Sequence, residues 1–344
     1  MMNNQLNLVP APEIMHNLID LETLSTDVSL SRLNGKKVFF RSDYSKEAIP
    51  LQNLDFLPSR GPPYQLQEFS LQARERQVIA IDSSCVLIGE TDDGSIFAGR
   101  VAAVHASRGK IKNYHRAGPF IFYMSPSAIS EELKDRLPQK AIRAIASDDS
   151  LAERYIRLRL ERSAQIRSAR SSSDSIMLVD GALRSSLLET RNISLKELEK
   201  VCEGNFIHLL GVSKSSTLRV ISNASSSLQS LGGSGSYYEV TDSLRVFYPS
   251  VEARVLVAKF SSNAPVFRVD ASRCNVEEDS QVLADLKFND IFFRGYPETL
   301  RLAHHLSVFD SSTIASIRSF LSRKFGLIRI PSDDLRATVL GKLV

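Results

Sequence analysis

Two short apolar runs each end in an aspartate followed by small residues: Val78-Ile79-Ala80-Ile81-Asp82-Ser83-Ser84 and Ile176-Met177-Leu178-Val179-Asp180-Gly181. Each reads as a buried β-strand that delivers a carboxylate to its C-terminal end. An aspartate in that place is ordinarily a turn former or helix cap, and Asp180-Gly181 is a common turn pair. The repetition of the pattern points further. Two carboxylates meeting at one sheet edge repel unless a cation sits between them. Hard oxygen donors select Mg²⁺ or Mn²⁺, ions that activate water and stabilise a leaving oxygen in phosphodiester cleavage. The small residues behind each aspartate leave room for a metal or a phosphate backbone.

Such a centre normally needs a third acidic group. Glu153, Glu161 and Asp174 are the candidates between the two runs. Glu161 is favoured, because it lies mid-helix beside an apolar stripe and can point inward; an ion pair with Arg157 is the competing role. The same helix, Ser150–Arg170, carries Arg154, Arg157, Arg159, Arg162, Arg167 and Arg170. Arginine binds phosphate bidentately, so Arg157 and Arg162 are read as contacts for a nucleic-acid backbone; a solvated face paired with Glu153 and Glu161 is the alternative. His304 falls two turns into a helix that starts at Pro297, and it suits metal ligation or proton transfer. Lys214 follows an apolar run in a turn of small residues, within reach of a phosphate or simply solvated.

The elements that must position these groups follow from periodicity. Strands are expected at Val78–Ile81, Cys85–Ile88, Ile96–His105 and Gly118–Met124, with a turn at Asp92-Asp93-Gly94, as an antiparallel meander. Helices are expected at Ser127–Ala146 and Ser150–Arg170, and from Ser194 to about Cys202 behind a capping-box spacing. Asn205–Val212, Val251–Phe260 and Val266–Val269 read as further strands. Glu277–Leu286, Glu298–Ser307 and Thr313–Phe325 read as helices. Residues 213–236 are Ser/Gly-rich and end in Gly232-Gly233-Ser234-Gly235-Ser236. The mixture predicts an α/β protein with a mixed sheet flanked by helices. Residues 71–310 form the core. Residues 1–70 are a helical and irregular N-terminal extension, a candidate dimer contact, with apolar positions at helical spacing in 11–33. Residues 311–344 are a C-terminal helical extension.

Hydrophobic residues make up 43% of the 344 and charged residues 24%, ordinary globular values. A net charge of +4 permits a nucleic-acid partner without demanding one. Cys85, Cys202 and Cys274 are odd in number and far apart, which argues against a disulfide framework or a cysteine zinc site. With no signal-peptide pattern and no membrane-length apolar run, the expected location is the cytoplasm.

Several stretches then line up in one order: IDSS near residue 80, the charged helix, LVDGAL at 178–183, GVSKSS at 211–216 and FRGYPETLRLAHH at 293–305. This order resembles the NurA nuclease family over roughly residues 75–310. The resemblance implies a ribonuclease H-like core, similar to the nuclease domain of Argonaute proteins. It implies Mn²⁺-dependent (or Mg²⁺-dependent) cleavage of single-stranded DNA and 5′-to-3′ exonuclease action on DNA ends. It further implies a homodimer that works with a hexameric HerA-type ATPase in end resection. On this chain it assigns metal ligation to Asp82, Asp180 and His304, with the helical carboxylate falling to Glu161, and DNA contact to Lys214 and Tyr296. Two other readings remain: an actin-like ATPase with Gly232–Ser236 near a phosphate, and an adaptor that keeps the fold with an idle metal site.

Overall fold

The computed structural model describes residues 30–38, 64–214, 218–231 and 233–329. Its strands are β1 (Lys37–Val38), β2 (Gln67–Glu68), β3 (Gln77–Glu90), β4 (Ser95–Ser107), β5 (Lys110–Met124), β6 (Ser175–Asp180), β7 (His208–Ser213), β8 (Ser236–Glu239), β9 (Arg254–Lys259), β10 (Phe267–Ala271), β11 (Phe292–Phe293), β12 (Tyr296–Pro297) and β13 (Ile328–Arg329). Its α-helices are α1 (Pro126–Leu133), α2 (Gln139–Ser147), α3 (Asp149–Arg170), α4 (Leu195–Gly204), α5 (Arg219–Leu231), α6 (Thr241–Arg245), α7 (Asp279–Asn289), α8 (Glu298–Ser307) and α9 (Ser311–Phe325). The amphipathic segment expected at residues 11–33 lies almost wholly outside the described residues.

Nine strands form one mixed sheet in the order β2-β8-β9-β10-β7-β6-β3-β4-β5. β3, β4 and β5 are the expected antiparallel meander, while β6 and β7 run parallel to β3. Both faces are covered. On one face α3 and α4 bury Ile79, Ile81, Met177 and Leu209 against Tyr155, Ile156, Leu160 and Leu198. On the other, α7 and α8 bury Val78, Ala80, Ile176, Leu178 and Leu210 against Val282, Leu286, Leu300 and Ala303. Burial on both faces explains why these strands read as continuous apolar runs.

Two expectations need correction, and a stretch read only as Ser/Gly-rich holds a helix. The separate strands at Val78–Ile81 and Cys85–Ile88 are one strand, because Asp82, Ser83 and Ser84 stay in the ladder opposite Ala102, Val101 and Arg100. Asp82 therefore sits mid-strand, not at a strand end. The helix expected over Ser127–Ala146 is two, α1 and α2. Pro138 is the residue before α2, and its ring and missing N–H prevent one continuous helix. The Ser/Gly-rich stretch 213–236 contains α5, whose Ile221, Ala224 and Leu228 are buried against β8 and β9.

α8 carries the histidine and is held at both ends. Asp290, buried, accepts from the Thr299 amide (3.4 Å) and the Thr299 hydroxyl (2.6 Å), so a distant aspartate caps its first turn. At the other end the Arg100 guanidinium donates to the Val308 carbonyl at 3.0 Å and lies over the Phe309 ring.

Candidate active site

The sheet register makes the site. β3 and β6 pair in parallel from Gln77↔Ser175 to Ile81↔Val179. The next position places Asp82 beside Asp180. There β6 ends while β3 continues, so the two carboxylates meet where the sheet surface opens. Neighbouring strands lie about 4.8 Å apart, and residues in register share a face. Both aspartates face α8, which contributes His304. Asp82, Asp180 and His304 each offer a ligand atom, and these atoms lie within 4.8 Å of one another.

Each member has a defined partner. His304 Nδ1 is 2.9 Å from Asp82 Oδ2, which leaves Nε2 as the outward atom. The Ser307 hydroxyl lies 3.3 Å from the same carboxylate oxygen. Lys214 donates to Asp180 Oδ2 at 2.8 Å, and the Tyr296 hydroxyl donates to Oδ1 at 3.0 Å. The Lys214 ammonium also sits 5.4 Å from the Tyr296 ring centroid. Burial, then the nearby Asp180 charge, push the Tyr296 phenol up, so it remains a hydrogen-bond donor. Lys214 sits just past the end of β7, whose Val212 is the register partner of Asp180.

Glu161 approaches from the opposite face. Its Oε2 lies 3.2 Å from the Ser83 hydroxyl, and its Oε1 accepts from Gln165 at 3.1 Å. Burial and the neighbouring Asp82 charge raise its pKa from 4.5 to about 7, against the pull of Arg162 and Arg157. It stands beside the cluster formed by Asp82, Asp180 and His304, not within it.

The arginine helix divides. Arg157 is exposed, and its backbone carbonyl accepts from Ser83 at 3.0 Å. Arg162 is buried: it donates to Gln165 at 2.7 Å and pairs with Glu189 at 3.5 Å. Arg159 is the largest fully buried side chain and donates to the Thr190 hydroxyl. Neither buried arginine faces solvent, so they brace α3 against the segment that follows Asp180. Arg162, expected at a phosphate, is instead turned inward by its partners Gln165 and Glu189.

The supports beneath Asp180 were missed in reading the motifs. Asp270 on β10, 1% exposed, receives two hydrogen bonds from Arg268, at 2.6 and 2.9 Å, and accepts from the Leu183 amide at 3.1 Å. Arg268 and Asp270 are i and i+2 on one strand face, which is a readable signal; nothing in the sequence singles out Gln165 or Ser307. Gly211 completes the packing: a Cβ there would lie 2.5 Å from the Gly181 carbonyl and 3.0 Å from Leu183 Cγ. β7 can approach the Asp180 turn only because that position has no side chain.

Two adjacent carboxylates and an imidazole, from three separate elements, form a donor set of hard oxygens with one nitrogen. That set fits Mn²⁺ or Mg²⁺. The NurA domain model matches residues 76–309. The chain belongs to the NurA family. Among solved structures it is similar to the NurA nuclease from Sulfolobus solfataricus, at 16% identity over 76% of this chain and 88% of that one, with a TM-score of 0.48. It is also similar to a NurA crystal structure bound to dAMP and manganese, at 10% identity over 78% of this chain and 92% of that one, with a TM-score of 0.45. No curated protein matches it in sequence. Gly233–Ser236, the described part of the segment an ATPase reading required near a phosphate, leads into β8. It lies four strands from β6 in the sheet order, about 19 Å at the usual spacing. No described helix is long and apolar enough to cross a membrane.

Proposed function

We propose that this NurA-family chain is a metal-dependent DNA nuclease whose centre is built on Asp82, Asp180 and His304. The observation that carries the reading is the convergence of these three donors within 4.8 Å of one another. The order β5-β4-β3-β6-β7, a meander followed by two parallel strands, supports the ribonuclease H-like reading of the core. A bound Mn²⁺ or Mg²⁺ would supply Lewis-acid stabilisation of the phosphate and an activated water.

The chain's own residues do the rest. Asp82 and Asp180 would hold the first cation with His304, and Glu161 would serve as the third carboxylate, toward a second ion. Lys214, half-exposed, and Tyr296 fix the Asp180 carboxylate from one side, and the lysine is the cation placed for the scissile phosphate. Exposed Arg157 extends that charge toward the strand. Buried Arg162 serves the site by holding Gln165, which holds Glu161. Family membership supports the finer readings: 5′-to-3′ exonuclease and single-strand endonuclease action in DNA end resection, a homodimer, a hexameric HerA-type ATPase partner and a cytoplasmic setting. All three cysteines are free, which suits a reducing compartment.

The test is digestion of end-labelled single-stranded DNA with Mn²⁺ by the wild type and by Asp82→Asn. The wild type should cut and the variant should not. Equal cutting, or none by the wild type, overturns the reading. Calorimetric titration showing no Mn²⁺ binding would favour the adaptor, and DNA-independent ATP hydrolysis the actin-like alternative.

A further inference from the structure

The hairpin that delivers Tyr296 to Asp180 also presents an aromatic ring to solvent. β11 and β12 pair as Phe292↔Pro297 and Phe293↔Tyr296, with Arg294-Gly295 as the two-residue turn. Both turn residues have positive φ, +52° and +78°, the geometry of the tightest hairpins. Gly295 suits it, and a Cβ there would strike Ala264 at 2.7 Å. Arg294 does not suit it: an L-residue in the left-handed region is held there at a cost. Phe292 faces inward and stacks on Phe260 with centroids 4.5 Å apart, whereas Phe293 is 51% exposed.

Two arginines frame that ring. The Arg294 guanidinium lies 5.6 Å from its centroid and the Arg301 guanidinium 4.8 Å, both within cation–π range. Two separate tethers tie the cluster to the metal donors. Phe293 is the cross-strand neighbour of Tyr296, whose hydroxyl is on Asp180. Arg301 lies one helical turn before His304 on α8, at i,i+3 spacing, and so shares its face. An exposed aromatic ring flanked by cations is the arrangement that holds an unpaired base and its phosphates.

We propose that Phe293 is a base-stacking residue for single-stranded DNA, with Arg294 contacting a flanking phosphate, while Arg301, held by two hydrogen bonds to Glu298, supports the ring. The inference rests on the nuclease reading and adds to it the residue that grips a base. A base takes a face of the Phe293 ring only when it is unpaired. The site therefore engages one nucleotide of a single strand next to the metal donors, and a duplex end must fray to enter.

The experiment is fluorescence anisotropy in EDTA, so that no strand is cut. The probes are fluorescein-labelled oligothymidylates, intact or with one nucleotide at a time made abasic. In the wild type, loss of one particular base should weaken binding roughly ten-fold or more. Phe293→Ala should weaken binding of the intact strand by a similar factor and add nothing when that base is already missing. Phe293→Trp should restore binding, which a purely structural role would not predict. Additive losses at every position, or no loss in Phe293→Ala, overturn the proposal. Should Phe293→Ala fail to fold, the Trp variant and quenching of 2-aminopurine at the same position decide it: an unquenched probe refutes stacking. Mn²⁺-dependent cutting of the intact strand by the wild type reports separately on the nuclease reading.

Discussion

Glu161 gives the sharpest physical test of the site, because its charge is costly without a cation. Its carboxyl is pushed up from 4.5 to about 7, first by burial and then by Asp82. A folded pKa raised above the unfolded one means that the folded chain holds the proton more tightly. The stability this contributes is complete below pH 4.5 and is lost as pH rises through about 7. The gap corresponds to about 3 kcal/mol at most; about 2 kcal/mol is the expected size, since the side chain is only partly shielded. The perturbation is Glu161→Gln, which keeps the shape and still accepts from Gln165. In EDTA, urea unfolding of the wild type should show stability falling by about 2 kcal/mol relative to the variant between pH 5 and pH 8. Their difference isolates Glu161, because every other titrating group is common to both. Saturating Mn²⁺ should then restore the wild type more than the variant, by up to about 3 kcal/mol at a hundredfold excess over Kd. A difference that does not change with pH would refute the reasoning, and an equal response to Mn²⁺ would remove Glu161 from the proposed metal site.

Other outcomes follow from the geometry. Tyr296→Phe removes the hydroxyl from Asp180 Oδ1, and Mn²⁺ affinity or cleavage rate should fall about 10- to 100-fold with the melting temperature nearly unchanged. Gly211→Ala pushes the Gly181 carbonyl away; cleavage should drop by about two orders of magnitude, while circular dichroism shows the fold intact. Asp270→Ala leaves Arg268 and the Leu183 amide without their acceptor, and denaturant unfolding should show a loss of about 3 kcal/mol.

The candidate site was more legible than its scaffold. Asp82 and Asp180 announced themselves because a carboxylate after four apolar residues is chemically conspicuous, and Lys214, Tyr296 and His304 followed from motif order. Continuity of β3 was hidden, since Asp-Ser-Ser resembles a turn until β4 is seen to pair with it. The inward turn of Arg159 and Arg162 was hidden too, because their partners Thr190 and Glu189 come from a loop distant in sequence. α5 was masked by serines, although Ile221, Ala224 and Leu228 keep helical spacing. The β11–β12 hairpin offered one signal, Arg294-Gly295 between aromatic residues, which its short strands made easy to pass over.

The overhang of β3 beyond β6 makes activity a matter of counting. Side chains alternate across a sheet, so a slip of one residue between these strands would exchange Asp82 for Ser83 on the α8 face. The apolar composition would barely change, yet His304 would meet a hydroxyl and the carboxylate would face α3. A single-residue deletion within 77–81 would therefore silence the enzyme more completely than most substitutions in its core, which makes the length of this run, as much as its chemistry, a heritable requirement.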